Sequence, residues 1–271
     1  SNTRADVLWD DGGQRLYVVS HLFTTSASAS SSSSQWGKLW RFSYNSTTRE
    51  YTLEAGFPVN VTRGRCEALT IAKDASQRLW VTFVESRKVK INWSVSSDLD
   101  WGVPVDLPLG STAITVNSDD ISAIVGLPNG DIGVGWSNQV TNTVYFAIHR
   151  SVDAPLVWQP LEIVVPGPGC SGQCADDHLS LKTDQAGRVF LALKTSHEED
   201  DPLIILGVRD GTWSRYTVGV GDDHHTRPIV VLDEESRTIY VFAAHPESGG
   251  AIYVKTSSLD DIQFAPGIGE H

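Results

Sequence analysis

The sequence feature that most constrains the fold is a unit of short strands that recurs about every 50 residues. Runs rich in Val, Ile, Leu, Tyr and Trp alternate with turns rich in Gly, Asp and Asn, without long amphipathic helical patterns between them. The runs are anchored at Leu16, Leu79, Ile132, Val189 and Ile239, in steps of 63, 53, 57 and 50 residues. Several short strands within such a period are typical of a β-propeller blade.

The sequence therefore predicts an all-β fold, a single β-propeller domain of residues 1–271 with five recognisable four-stranded blades. The predicted blades cover approximately residues 1–63, 64–116, 117–173, 174–223 and 224–271. The first unit is the longest because it carries a Ser-rich tract, Ser26 to Ser34. This tract cannot bury apolar area, and we expect a mobile loop there.

The turns between the third and fourth strands share one plan, in which Ser or Asp caps a tight turn and an aromatic residue follows. The copies are Ser96 to Trp101, Ser151 to Asp153 with Trp158, Arg209 to Trp213, and Ser257 to Asp260 with Phe264. With these turns the chain resembles the sialidase-like propellers, whose Asp boxes read Ser-x-Asp-x-Gly-x-x-Trp, although each copy departs from the full box. The resemblance implies six blades as the usual number, so this chain either lacks one or closes with five. Asp boxes occur in hydrolases, lectins and receptors, so they support the fold rather than a chemistry.

A ring of charge is predicted at the propeller axis, because equivalent positions on the innermost strands converge. The positions 12 residues before each anchor are all charged: Arg4, Glu67, Asp120, Asp177 and Arg227. One interpretation is an ion-paired ring with a structural role, in which the two guanidinium groups offset the three carboxylates. The other is a funnel that binds a polyhydroxylated ligand. The further ligand-binding candidates are His178, His225, Trp136, Asn138, Lys194 and His245.

The same carboxylates predict an alternative function, glycoside hydrolysis or lyase chemistry. Glu67, Asp120 and Asp177 could supply the acid and the base or nucleophile, since crowded carboxylates push one pKa upward. Five-bladed glycosidases have acids on three consecutive blades, which this arrangement resembles, although here the order is Glu, Asp, Asp rather than Asp, Asp, Glu. Sialidase activity itself is not expected, because no tyrosine suits the nucleophile position and Thr226-Arg227-Pro228-Ile229 only faintly resembles the Arg-Ile-Pro opening.

Composition excludes several partners. The chain has 33 acidic and 21 basic residues and a net charge of −12, which argues against nucleic acid or an anionic membrane. No apolar run approaches the roughly 20 residues of a membrane-spanning helix, and no glycine-rich phosphate loop or Gly-x-Ser-x-Gly elbow is present.

No metal or cofactor is predicted. His224-His225 and the acidic run from Glu198 to Asp201 are interpreted as solvated loops, and calcium at Asp119-Asp120 or Asp176-Asp177 is an alternative.

The remaining signals favour an extracellular or secreted protein. Asn45, Asn60 and Asn92 each open an N-glycosylation sequon. Cys170 and Cys174 enclose a three-residue loop and form a disulfide in one interpretation, two free thiols in the other. Methionine is absent even at position 1, so we expect a piece of a longer precursor or assembly. The sequence thus predicts glycan or polysaccharide binding at a charged funnel, with a carbohydrate-active hydrolase or lyase and a structural or adhesive module as the alternatives.

Overall fold

A computed structural model describes residues 3–22, 32–165, 173–246 and 250–271, and the side chains of Thr3 and Arg4 lie outside that description. Most of the predicted Ser-rich loop lies outside it as well. The fold is all-β, and its strands form a propeller of five blades, which confirms the predicted fold class. No helix among the described residues is both long and apolar enough to cross a membrane.

The first two sheets are built from consecutive antiparallel strands. Sheet 1 has the order β1 (Thr3–Asp10), β2 (Arg15–Leu22), β3 (Lys38–Asn45) and β4 (Glu50–Leu53), and β5 (Val59–Asn60) also pairs with β3. Sheet 2 has the order β6 (Glu67–Lys73), β7 (Leu79–Glu85), β8 (Lys88–Ser97) and β10 (Val105–Asp106), and β9 (Asp100–Trp101) also pairs with β8. A four-residue helix, α1 (Ser111–Ile114), follows.

The remaining three sheets follow the same plan. Sheet 3 contains β11 (Ser122–Gly126), β12 (Ile132–Asn138), β13 (Thr143–His149) and β14 (Glu162–Val165). Sheet 4 contains β15 (Leu179–Thr183), β16 (Val189–Lys194), β17 (Pro202–Asp210) and β18 (Thr212–Val220). Sheet 5 contains β19 (Thr226–Asp233), β20 (Thr238–Ala244) and β21 (Ile252–Ser258), and Glu270 adds an isolated bridge to Val254.

The chain forms two compact units. The first comprises Ser1–Gly126, Gly130–Val134 and Ile148–Gln159, and the second comprises Leu127–Asn129, Gly135–Ala147 and Pro160–His271. In the first unit a buried cluster that includes Tyr17, Leu39, Ile71 and Phe83 packs the inner faces of sheets 1 and 2. In the second unit a cluster that includes Phe190, Leu206, Val230 and Val241 does the same for sheets 4 and 5.

The aromatic residues of the repeated turns pack within these units. Trp101 lies against the core cluster of the first unit, and Phe264 lies against that of the second. The Trp158 ring is 5.6 Å from the His149 ring and 6.4 Å from the Trp80 ring, centroid to centroid. The Trp213 ring meets the Phe146 ring edge-on at 5.3 Å. These rings fill grooves between neighbouring strands, which is the packing role expected for them.

The strand register corrects the spacing rule used to align the charged positions. Glu67 pairs with Val84 before a bulge in β6, and Thr226 pairs with Ala244 before a bulge in β19. The next residues, Ala68 and Arg227, both have left-handed backbone, with φ of 51° and 53°. Arg227 therefore corresponds to Ala68 and not to Glu67. A bulge adds one residue to a strand, and a fixed spacing of 12 residues cannot account for it.

Candidate functional site

A cleft of about 690 Å³ opens at one edge of the second unit. It lies between the loop that follows β16 and the short 3₁₀ turn Gly221–Asp223 that follows β18. The alternating direction of β16, β17 and β18 brings both of these loops to the same edge of sheet 4. The lining residues are mainly polar: Lys194, Ser196, His197, Glu198, Glu199, Leu203, Gly221, Asp222, His224, His225, Thr226 and Pro246.

The two loops that wall the cleft are packed backbone against backbone. The N–H of Gly221 donates to the Asp201 carbonyl at 3.0 Å, and the N–H of Asp222 donates to the Glu199 carbonyl at 2.9 Å. A Cβ at position 221 would lie 2.3 Å from the carbonyl carbon of Glu198, so only glycine permits this approach. His224 then takes left-handed backbone, with φ of 51°. Left-handed backbone at a non-glycine residue is strained, and such strain concentrates at functional sites.

His225 is the most buried ionisable residue of the cleft lining. Its side chain is only 2% exposed, and its Nε2 has no hydrogen-bond partner within the described part of the chain. The ring lies 5.9 Å from the Tyr253 ring and 6.3 Å from the His245 ring. Burial lowers the pKa of His225, and the Lys255 and His245 charges act in the same direction against Asp223. The neutral form of the imidazole is therefore favoured at pH 7.

A compact charge cluster adjoins the cleft through Lys194. Its Nζ donates to Asp176 Oδ2 at 2.5 Å, and His178 Nδ1 lies 2.8 Å from Asp176 Oδ1 and 2.6 Å from Asp177 Oδ1. Burial opposes ionisation of Asp176, but hydrogen bonds from His178 and Lys194 hold its pKa well below its usual range. Burial also disfavours the His178 cation, but the two carboxylates outweigh it and raise the pKa of His178. Charge within this cluster is thus largely neutralised by its own members.

Three side chains of this cluster also have the chemistry of a metal site. Asp176, Asp177 and His178 offer ligand atoms that all lie within 4.8 Å of one another. The Lys194 ammonium group already compensates Asp176, so the carboxylates do not need a cation for charge balance. Among the described residues no comparable group includes His224 or His225.

Comparison with solved structures identifies the fold. No family model matches the sequence, and no curated protein matches it. The chain is 12% identical to an ulvan lyase of polysaccharide lyase family PL25 solved with a bound -[GlcA(1-4)Rha3S]- saccharide, with a TM-score of 0.58 over 97% of this chain and 69% of that one. It is 9% identical to an α-L-arabinofuranosidase from Lactobacillus brevis, with a TM-score of 0.53 over 98% of this chain and 94% of that one.

A third similar structure is a mutant of the NanB sialidase from Streptococcus pneumoniae. It is 12% identical, with a TM-score of 0.51 over 77% of this chain and 32% of that one. The chain shares the β-propeller fold of these proteins. At these sequence identities the similarity shows the fold alone. It does not assign a function to any residue of this chain.

The propeller divides the five predicted ring residues between its two units. Glu67 and Asp120 belong to the first unit and are 3% and 0% exposed, so neither presents a carboxylate oxygen to bulk solvent. Asp120 Oδ2 accepts the N–H of Asn117 at 2.7 Å. Asp177 and Arg227 belong to the second unit; Asp177 contacts His178, and Arg227 is exposed. The Arg4 side chain lies outside the described residues. The convergence of the five at one axis stays a prediction.

Four of the predicted ligand-binding residues lie at the cleft, and two are buried in a strand of sheet 3. His178, Lys194, His225 and His245 lie in or beside the cleft of the second unit. Trp136 is fully buried with its ring 5.5 Å from that of Tyr145, so it has no exposed face for a sugar, which corrects its assignment to a ligand. Asn138 is also fully buried, and its Oδ1 accepts the N–H of Thr141. Both lie on β12, which is buried along its whole length.

The structure also bears on the predicted N-glycosylation sites and on the predicted disulfide. Asn45 and Asn60 are exposed, but Asn92 is only 1% exposed and its Nδ2 donates to the carbonyls of Val61 and Gly102. A glycan cannot be attached to that nitrogen in the folded chain, so the predicted modification of Asn92 is wrong. Cys174 is disulfide-bonded and Cys66 is a buried free thiol; Cys170 lies outside the described residues.

Sequence reasoning missed part of the cleft. It treated Glu198 to Asp201 and His224 as solvated loops, whereas Glu198, Glu199 and His224 line the cleft. Tyr253, which contacts His225, was not singled out. The available signal was topological: polar segments after β16 and β18 must meet at one edge of their sheet because the strand between them reverses direction.

Proposed function

We propose that the protein binds a glycan in the cleft of the second unit. The observation that carries the proposal is the buried His225, which is one of the residues that line a roomy cleft and whose Nε2 has no hydrogen-bond partner among the described residues. A buried polar atom without a partner is costly, and a hydroxyl group of a bound ligand would satisfy it.

The lining supplies the groups that a polyhydroxylated ligand needs. Carboxylates of Glu198, Glu199 and Asp222 accept hydrogen bonds from hydroxyl groups, and Ser196 and Thr226 both donate and accept them. The His197 and His224 rings add flat surfaces at the cleft wall. A cleft lined by so few large apolar side chains does not suit a lipid.

The named functions of the similar structures support the same ligand class. They are an ulvan lyase, an arabinofuranosidase and a sialidase, all of which act on carbohydrates. The proposal includes an extracellular setting, where polysaccharides are accessible, and Asp-box-type turns as the folding device of the blades.

Catalysis is a second candidate, favoured by the lowered pKa of His225. A neutral imidazole in a cleft is a competent general base for proton abstraction or for activation of water. Asp177 is the one predicted catalytic carboxylate in the unit that holds this cleft, since Glu67 and Asp120 are buried in the first unit. In this version the protein is a hydrolase or lyase that uses His225 with Asp177 and does not use the full predicted triad.

The test is a glycan array followed by calorimetry on each glycan that binds. His225→Phe keeps a ring against Tyr253 and removes the acceptor nitrogen, so affinity should fall at least tenfold while the melting temperature changes little. His271→Phe is the matched control, because that ring also contacts Tyr253 but does not line the cleft. Incubation of each bound polysaccharide with the protein, followed by product analysis, decides between binding and catalysis. Absence of binding to any glycan would favour the structural or adhesive role instead.

A further inference from the structure

The carboxylates of the cleft lining lack cationic partners. Glu198, Glu199 and Asp222 line the cleft with exposed side chains, and within the described residues none of the three takes part in an ion pair or a side-chain hydrogen bond. Three formal negative charges therefore face the space in which the ligand would lie.

Three cations at or beside the cleft are already engaged. Lys194 is the one lysine or arginine of the lining, and its Nζ is bound to Asp176 Oδ2 and to the Thr195 carbonyl. Lys255 Nζ donates to the Val218 carbonyl at 2.6 Å and lies 3.6 Å from Asp223 Oδ2. His178 is held between Asp176 and Asp177. None of these cations is available to a ligand without breaking a pair.

The imidazole groups of His225 and His197 do not reverse the excess of negative charge in the cleft lining. Burial lowers the pKa of His225, so this ring contributes no positive charge at pH 7. His197 Nδ1 lies 3.7 Å from Asp201 Oδ2, which adds another carboxylate at the rim. The acids of the lining therefore outnumber its one lysine by three to one, in the same sense as the net charge of −12 of the whole chain.

We infer that the cleft selects an amine-bearing glycan, such as a polymer of deacetylated amino sugars, over neutral glycans and over uronic-acid or sulfated glycans. The inference rests on the proposed glycan-binding function and names its substrate class. An ammonium group on the sugar can pair with the three lining carboxylates, whereas an anionic sugar meets repulsion from them, because Lys194, the one lysine or arginine of the lining, is already paired with Asp176.

The test compares three tetrasaccharides in calorimetry at pH 7 and low salt. They are β-1,4-linked glucosamine, which carries amines, its N-acetylated neutral counterpart, and a tetragalacturonate, which carries carboxylates. Each exposed charge pair changes affinity by about two- to fivefold, so we expect the amine form to bind at least tenfold more tightly than the neutral form, and the uronate to bind most weakly. The preference for the amine should shrink as salt is raised.

The decisive variant replaces Glu198 and Glu199 by Gln and Asp222 by Asn. Its amine-to-neutral affinity ratio should fall to about one, while affinity for the neutral tetrasaccharide should be reduced only slightly. The matched control changes three exposed acids outside the cleft, Glu50→Gln, Asp210→Asn and Glu235→Gln, which alters net charge equally. The control should keep the wild-type ratio.

The outcomes separate the two claims. Tightest binding of the uronate, equal binding of amine and neutral forms, or loss of the preference in the control variant would overturn the charge selection while glycan binding stands. Failure of all three tetrasaccharides and of the whole glycan array would overturn the glycan-binding function and this inference with it.

Discussion

At the scale of single residues, the fold shifts the pKa values of two histidines at or beside the site in opposite directions. His178 is held between two carboxylates and its pKa is raised, whereas His225 is buried beside Lys255 and its pKa is lowered. The sequence identified both as ligand candidates because they lie next to the predicted ring positions Asp177 and Arg227. It could not assign their charge, because charge depends on burial and on partners such as Lys255 that are distant in sequence.

The His178 assignment predicts a pH-dependent loss of stability in His178→Gln. A raised folded pKa means that the imidazolium stabilises the fold fully below the unfolded pKa of about 6.5, and that this contribution is lost as pH rises through the folded value. We expect a destabilisation of about 1–2 kcal/mol at pH 5.5 that shrinks towards zero at pH 9, measured by chemical denaturation. An equal loss at both pH values would show that the ion pairs with Asp176 and Asp177 do not stabilise the fold.

At the scale of elements, the positions of the strands were predictable from the sequence. Which side chains of a strand face the solvent was not. Apolar runs such as Leu79–Glu85 are buried on both faces, so alternation gives no indication of which side chains point outward. The same burial of β12 removed Trp136 and Asn138 from the predicted ligand site. The bulges at Ala68 and Arg227 shifted the register by one residue, and neither position has the glycine that usually marks such backbone.

The repeated turns make a second prediction at this scale. Trp158→Ala should destabilise the protein by about 3 kcal/mol, because its ring fills the groove formed by Trp80 and His149. Trp9→Ala is the matched control: its indole is 38% exposed and packs edge-on against Tyr44 and Tyr51 at the surface, so it should cost about 1 kcal/mol or less. Thermal denaturation of both variants measures the difference. Equal melting temperatures would contradict a packing role for the turn aromatics.

At the scale of the whole molecule, the candidate site is a product of topology. Its lining comes from the end of β16, the loop before β17, the turn after β18, the start of β19 and Pro246 after β20, which are separated by up to about 50 residues in sequence. The sequence predicted a polar site at strand ends and several of its members. It could not predict which loops meet, because loop pairing follows from sheet order rather than from composition.

The most direct test of the central claim is hydrogen–deuterium exchange with and without a saturating glycan found on the array. We expect slower exchange in the cleft loops, residues 196–203 and 219–226, where the Gly221, Asp222 and His224 amides lie. The first unit should show no change. Protection confined to the first unit, for example at the exposed aromatic cluster of Trp9, Tyr44 and Tyr51, with unchanged cleft loops, would contradict the account.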